Sequence, residues 1–366
     1  MELDFKQPSL SLISLVLHSK KKKEDFELVK YISDNEMAPL YMYLVQNKIL
    51  PFDNEFYEKL KMKNKKKIEI LESKKLDSIE SEKYLQDIEK AIAEYYACIG
   101  DYTNFKDVVT NMDISNLSLK MDILLCEIRM GLIYKNKSAT NNAIAEATKI
   151  SEMCDWDRRN KFKVYDGLLK MIKGRYREAA DLFLEVLPTF QSQELLSYQE
   201  VVVFALFSSL LAYDRNELYS KILNGSHILE AGEDIQSGYL LVESLYNCAY
   251  EQIFYNLIQF SELCRKNIFL AKKVHNFINQ IKIRAYQQLL HSYSSINLQS
   301  MADIFQISLG YLENDLTRFI VDQKLFCSID RTEMVVYVKD SKIELFEKIA
   351  EKGEKLLTFI EKSLNE

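Results

Sequence analysis

Residues 281–338 read IKIRAYQQLLHSYSSINLQSMADIFQISLGYLENDLTRFIVDQKLFCSIDRTEMVVYV, and this stretch decides the fold of the C-terminal part of the chain. From Arg284 to Ser295 the residues Ala285, Leu289 and Tyr293 recur four apart, the repeat of one helix face. Asn297 and Gln299 bracket a break, and Ser300 to Gln306 reads as a short helix presenting Met301, Ile304 and Phe305. Ser308 is suited to cap a third helix whose core face is Leu309, Leu312, Leu316, Phe319 and Ile320. Leu325 to Ile329 and Met334 to Val338 are β-rich runs, with Asp330 to Glu333 as the turn between them. Three helices followed by a hairpin is the plan of a winged helix.

Many winged helices read DNA with basic or amide side chains near the start of the third helix. Here the positions expected to face outward are Tyr311, Glu313, Asn314, Asp315 and Arg318. From Ile281 to Asp340 six Lys or Arg stand against seven Asp or Glu. A surface of that charge repels phosphate, so no nucleic-acid partner is expected. The hairpin should leave a sheet edge free to pair with a strand of another protein. Leu325, Cys327, Ile329, Val335 and Tyr337 are the candidate contact residues of that wing edge.

Beyond the hairpin, Ser341 to Leu364 contains one Gly and no Pro. Phe346, Ala350, Gly353, Leu357, Ile360 and Leu364 follow 4-3-4-3-4 spacing, the seam of a helix that packs on other helices. At 1.5 Å per residue the helix would be about 36 Å long. These six residues are candidate contacts to helices of partner subunits; the alternative is packing on the chain's own arm.

The residues before this module are helical in pattern. The 366-residue chain holds nine Gly and four Pro, whereas average usage would give about 44 together. Tyr84, Ile88, Ala91, Ile92, Tyr95 and Tyr96 form one apolar stripe. Leu117, Met121, Leu124, Leu125, Ile128 and Leu132 form a second; Phe162, Tyr165, Leu168, Leu169 and Ile172 form a third. Gly100-Asp-Tyr102 and Gly174-Arg-Tyr176 are matching turns, and Ala93, Gly131 and Gly167 are small residues where helices must approach closely. Gly174, Tyr176, Ala179 and Phe183 complete a tetratricopeptide-like G-x-Y-x-x-A-x-x-x-F. The implied repeat is about 37 residues, stacked as a solenoid. Further helices are expected at Tyr198 to Tyr213, Glu217 to Glu230, Tyr239 to Tyr250 and Ile253 to Asn267. The fold class is mainly α: N-terminal helices at 1–75, a helical-repeat arm at 76–280, a winged helix at 281–340 and a C-terminal helix at 341–366.

Composition narrows the chemistry. With 48% apolar and 28% charged residues, the chain is that of a folded soluble protein. The net charge of -6 gives no general attraction for polyanions. Two basic runs stand apart: Lys20 to Lys23, and Lys59 to Lys75 with eight lysines against Glu69 and Glu72. They suit either an anionic partner or a solvated face. Six scattered cysteines contain no C-x-x-C pair and read as reduced core residues. Four isolated histidines offer no metal-ligand spacing, and no phosphate loop or G-x-S-x-G elbow occurs. No catalytic, cofactor or metal residues are expected. Leu10 to Leu17 lacks a signal-peptide pattern, and no run is long enough to span a bilayer, which points to cytoplasm and nucleus with no membrane partner.

One polar cluster stands out. Asp155-Trp156-Asp157-Arg158-Arg159 holds the only Trp at a helix start, where an acid can cap and the indole can staple the turn. The surrounding segment, Cys154-Asp-Trp-Asp-Arg-Arg-Asn-Lys-Phe-Lys-Val-Tyr-Asp-Gly167, resembles the non-ATPase regulatory subunit 6 family of the proteasome lid. Asn35 to Tyr41, Ala179 to Leu184, Glu194 to Tyr198, Arg284 to Tyr293 and Leu316 to Ile320 are similar to the same family, in the same order. The resemblance implies a tetratricopeptide-like arm followed by a PCI domain, which is a helical bundle plus winged helix. It implies a non-catalytic scaffold whose partners are other PCI subunits of the lid, the lid deubiquitinase pair and the ATPase ring. A PCI subunit of the COP9 signalosome is the alternative; the Trp156 cluster and the Ala179 segment favour the proteasome.

Overall fold

The computed structural model describes residues 8–9, 12–13, 15–16, 26–77, 82–112, 114, 116–190, 196–225, 228, 235–338 and 349–357. The chain divides into two compact units, Met1–Ala212 with Lys266–Ala271, and Tyr213–Arg265 with Lys272–Glu366.

The first unit is helical throughout its described length. α1 (Phe26–Asp34), α2 (Ala38–Gln46) and α3 (Asn54–Asp77) lead into three antiparallel pairs. These are α4 (Glu82–Ile99) with α5 (Tyr102–Asn111), α6 (Leu117–Ile133) with α7 (Lys137–Ile150), and α8 (Trp156–Lys173) with α9 (Tyr176–Val186). Each pair turns through one left-handed residue. Gly100 (φ +77°) and Gly174 (φ +86°) take this conformation without a Cβ penalty. In the middle pair Lys135 (φ +56°) does the same work, a turn that no glycine marks in the sequence. Asp101 and Asn136 then cap the second helices, accepting from Asn104 N (3.2 Å) and Ala139 N (3.2 Å).

The small residues lie where helices meet. A Cβ on Gly167 would stand 2.9 Å from Cε1 of Phe183, and one on Gly131 would stand 2.3 Å from Oγ1 of Thr140. Phe183 and Ala179 are fully buried, so the G-x-Y-x-x-A-x-x-x-F pattern describes one hairpin closing on itself. Ala93 and Gly167 stand seven residues before their turns, but Gly131 stands four before Lys135. The three-residue slip is close to one helical turn, so Gly131 keeps to the packed face. Pro188 sits in a short 3-10 turn, Leu187–Thr189, directly after α9. α10 (Tyr198–Ala212) is buried on nearly every side, as its apolar run, interrupted only by the buried Ser208 and Ser209, requires.

The second unit contains a short helix α11 (Arg215–Leu218) that passes into a π turn at Tyr219–Leu223. The longer helix expected at 217–230 is therefore interrupted by this turn, and most of its second half lies outside the described residues. α12 (Gln236–Asn247) and α13 (Tyr250–Lys266) follow. After α14 (Ile268–Ala271), which belongs to the first unit, α15 (Val274–Leu290) runs unbroken through Ile281, so the division drawn at 280/281 falls inside a helix. α15 also ends before Tyr293, sooner than the spacing suggests. The remaining elements are β1 (Ser295–Asn297), α16 (Leu298–Phe305), α17 (Leu309–Val321), β2 (Cys327–Asp330) and β3 (Val335–Val338). Phe305 and Phe319 meet Tyr286 of α15 at ring distances of 5.1 and 6.3 Å, forming the core of this module.

All six cysteines are free thiols; Cys126, Cys264 and Cys327 are buried. Burial pushes the Cys98 thiol up to about 12 and raises those of Cys126, Cys154 and Cys264. Thiols held protonated are poor nucleophiles. Among the described residues no helix is long and apolar enough to cross a membrane, and no group of acidic, His or Cys side chains is placed to hold a metal ion.

Candidate protein-docking surface

The sheet has three strands, in the order β1-β3-β2. β3 is antiparallel to both neighbours: Val336 is opposite Ile296 on one side and Ile329 on the other. The two-stranded hairpin expected from the sequence thus gains a strand, and its edges move. Val335 and Tyr337 stand on the middle strand, flanked on both sides, so they are not edge residues. Cys327 and Ile329 are on β2, whose outer side meets no further strand among the described residues. Leu325 precedes β2; its side chain is buried and its N–H donates to the Phe319 carbonyl at 3.2 Å.

The missed strand is only three residues long, too short for an alternation to declare itself. Asn297 ends it and starts the next helix at once, with Oδ1 accepting from Gln299 N (2.8 Å) and Ser300 N (3.4 Å). Ser308 stands at the corresponding place before α17, but its side chain makes no capping bond.

The turn between β2 and β3 is held by Asp330, whose Oδ1 accepts from the Thr332 hydroxyl (2.5 Å), Thr332 N (2.8 Å) and Glu333 N (3.2 Å). These donors, the Thr332 hydroxyl first, hold the Asp330 carboxyl below its usual range. The Tyr337 hydroxyl donates to Glu333 Oε2 (3.0 Å), and that carboxylate pushes the phenol upward. Phe326 and Val321, which the sequence reading passed over, are exposed. Period-two alternation between the buried Leu325 and Cys327 would have turned Phe326 outward.

On α17, Tyr311, Asn314 and Arg318 are exposed as expected and Glu313 is half-buried, but one of the five departs from the expectation. Asp315 is buried, not outward. Its Oδ2 accepts from the buried Lys282 Nζ at 2.7 Å, and Arg318 Nη2 approaches Oδ1 at 3.3 Å. Lys282 also donates to the Tyr311 hydroxyl, and its ammonium lies 4.5 Å from the Tyr311 ring centre. Arg318 reaches Asn279 Oδ1 at 2.9 Å. Position 315 is three residues after Leu312 and four before Phe319, at the margin of the core face, and a lysine on α15 meets it there. Three of the five side chains expected to point away from α15 are thus tied to α15. Asp315 alone of the three is buried; Tyr311 and Arg318 keep exposed surface while bonded to α15.

Of the terminal seam, Ala350, Gly353 and Leu357 lie in the helical segment 349–357, while Phe346, Ile360 and Leu364 lie outside the described residues. Every described side chain of 349–357 is exposed, including Ile349 (57%), Leu356 (63%) and Leu357 (61%). A Cβ on Gly353 would meet no atom within 4 Å.

The Asp155 to Arg159 cluster belongs to the first unit. Asp155 occupies the N-cap position of α8 but makes no capping bond; its carboxylate takes Arg158 Nη1 at 2.6 Å instead. Arg158 also grips Asp122 of α6 with two bonds, Nε to Oδ1 and Nη2 to Oδ2, both 2.8 Å. Asp157 pairs with Lys161 at 2.9 Å. Trp156 is 57% exposed and does not staple the turn, and Arg159 is exposed beside it. Arg158 is the structural member of the cluster: it ties two helical pairs together.

A family model described as "26S proteasome subunit RPN7" matches residues 53–221, and a model described as "PCI domain" matches residues 259–340. The 26S proteasome non-ATPase regulatory subunit 6 of Dictyostelium discoideum is 31% identical over 98% of this chain and 97% of its own length. The chain belongs to the RPN7 family. The 26S proteasome regulatory subunit rpn7 of Schizosaccharomyces pombe is 30% identical, over 99% of this chain and 95% of its own length. That of Saccharomyces cerevisiae is 30% identical over 94% and 88%. COP9 signalosome complex subunit 1 of Arabidopsis thaliana is a more distant relative, 26% identical over 71% of this chain and 60% of its own length. Within the RPN7 family match lie the Arg158 clasp and the Gly167 contact; within the PCI match lie the Lys282–Asp315 pair and the whole sheet.

Proposed function

We propose that this chain is a structural subunit of the lid of the 26S proteasome regulatory particle, serving ubiquitin-dependent protein degradation by holding lid subunits together and performing no chemistry itself. The observation that carries this reading is kinship over nearly the full length with a protein named as a proteasome regulatory subunit, 98% of this chain against 97% of that one. The free side of β2 and the exposed Leu356 and Leu357 support it, because both leave bonding capacity or apolar surface that another chain could cover. The charge balance of residues 281–340, six Lys or Arg against seven Asp or Glu, speaks against a nucleic-acid role. Other PCI subunits would take the sheet edge and the terminal helix; the deubiquitinase pair and the ATPase ring complete the expected neighbours, in cytoplasm and nucleus.

The test is affinity purification of the tagged full chain followed by mass spectrometry. Co-purification of proteasomal ATPases and lid subunits is the expected result. Recovery of signalosome subunits without proteasomal ATPases would replace the lid assignment with the signalosome one. Leu356→Asp with Leu357→Asp should leave the chain folded and reduce its incorporation into the lid by tenfold or more. Normal incorporation of that variant would remove the terminal helix from the interface.

A further inference from the structure

α3 has a one-sided contact. Among its described side chains only Leu60 and Asn64 are buried, and Phe56, Tyr57, Ile68 and Leu71 are half-buried along the same stripe. The rest of the circumference is exposed, and its middle is basic: Lys59, Lys61, Lys63, Lys65, Lys66 and Lys67 fall within nine residues that contain no acid. One exposed line of the helix alternates charge with apolar surface. Lys59, Met62, Lys66 and Ile70 follow one another at three- and four-residue steps, with Met62 65% and Ile70 54% exposed.

Several of these lysines have carboxylates within the chain. Lys59 pairs with Glu55 (2.7 Å), Lys65 with Glu69 (3.8 Å), and Lys63 and Lys67 both reach Glu36 (3.7 and 2.7 Å). Exposed pairs of this kind contribute little and yield readily to a competing anion. Lys61 and Lys66 have no carboxylate at ion-pair distance among the described residues; Lys61 only approaches the Tyr57 ring, at 5.7 Å. Four cations share Glu36 and two helical neighbours, and two have no counter-ion, in a chain whose overall charge is -6.

We propose that the Lys59–Ile70 face of α3 docks an acidic amphipathic helix of another protein, its carboxylates on the lysines and its apolar side chains on Met62 and Ile70. Charge complementarity selects an acidic partner. The dimensions select a short polypeptide over a nucleic acid. Nine helical residues extend about 13 Å, and Glu55, Glu58, Glu69 and Glu72 close the run at both ends. A phosphate backbone, with a charge about every 3.4 Å along a strand, would run past the lysines onto these acids. The exposed Met and Ile offer nothing to phosphates but suit the leucines of an amphipathic helix.

The full-length protein is titrated by fluorescence anisotropy against three labelled probes: a sixteen-residue Glu/Leu amphipathic peptide, its Lys/Leu counterpart, and a sixteen-nucleotide oligo-uridine. Wild type should prefer the Glu/Leu peptide over the Lys/Leu peptide by at least tenfold. Lys59→Glu with Lys66→Glu, both exposed and both on the Lys59–Ile70 line of the helix, should reverse that preference with an unchanged circular-dichroism melt. Met62→Ser should weaken the Glu/Leu peptide severalfold with the charges intact. Unaltered preference in the double variant would overturn the site. Tighter binding of oligo-uridine than of the Glu/Leu peptide would overturn the choice of partner.

Discussion

Two helix contacts, one from each unit, join elements by opposite means. Gly167 of α8 meets Phe183 of α9 through the absence of a side chain, and the fit is wholly apolar. Lys282 of α15 meets Asp315 of α17 through two charges withdrawn from water, 2.7 Å apart. The first contact draws its stability from close packing and loses it to any added atom. The second rests on mutual neutralisation: each charge is tolerable only while the other is present. A small residue in a sequence announces a close approach, whereas a charged residue announces solvent, and only the first announcement holds here.

The contrast can be broken most sharply at the charges. Asp315→Ala should cost about 3–5 kcal/mol, because it leaves Lys282 buried with no carboxylate. Thermal or urea unfolding measures it, and Lys282→Met with Asp315→Leu should restore most of the loss. A double variant as unstable as the single one would mean that the pair does more than neutralise itself. Next in size is Gly167→Ala, expected to cost about 1–3 kcal/mol as Phe183 is forced aside. Gly174→Ala provides the control: its Cβ meets nothing within 4 Å, so only the left-handed backbone penalty of about 1–2 kcal/mol should appear. Equal losses at both glycines would argue that packing against Phe183 is loose. Arg158→Ala is intermediate between the two kinds of contact, since its bonds to Asp122 are charged but partly solvated. A loss of about 1–2 kcal/mol is expected there, above that of an ordinary surface pair because the grip is two-pronged. The smallest effect belongs to Trp156→Ala, below about 0.5 kcal/mol in unfolding experiments, because the indole is mostly in water. A larger loss would restore the stapling role that its exposure denies.

Legibility in the sequence follows the same division. The three hairpins could be read because apolar stripes recur at helical spacing, and because Gly100 and Gly174 mark turns that need a left-handed residue. The middle turn escaped notice because Lys135 adopts that conformation without being glycine. The sheet was half legible: β3 announces itself by three valines and β2 by the alternation of Leu325, Cys327 and Ile329, while β1 is three residues long and is recognised only by what pairs with it. Asp315 was misplaced because one helix cannot reveal that its polar neighbour on another helix is a buried lysine. At the candidate surface, Cys327 and Ile329 keep their edge position and Val335 and Tyr337 lose theirs, a distinction that depends on strand order and not on composition.

That strand order has a further consequence. With β3 in the middle, the sheet ends in two unlike borders, three residues of β1 on one side and four of β2 on the other. A second protein adding a strand beside β2 meets a different partner from one adding beside β1. Contacts of this kind are head-to-tail, and repeated they give a row with a sense of direction instead of a symmetric pair. A subunit with such a sheet can hold a defined place in a sequence of neighbours, with one border facing up the row and the other facing down.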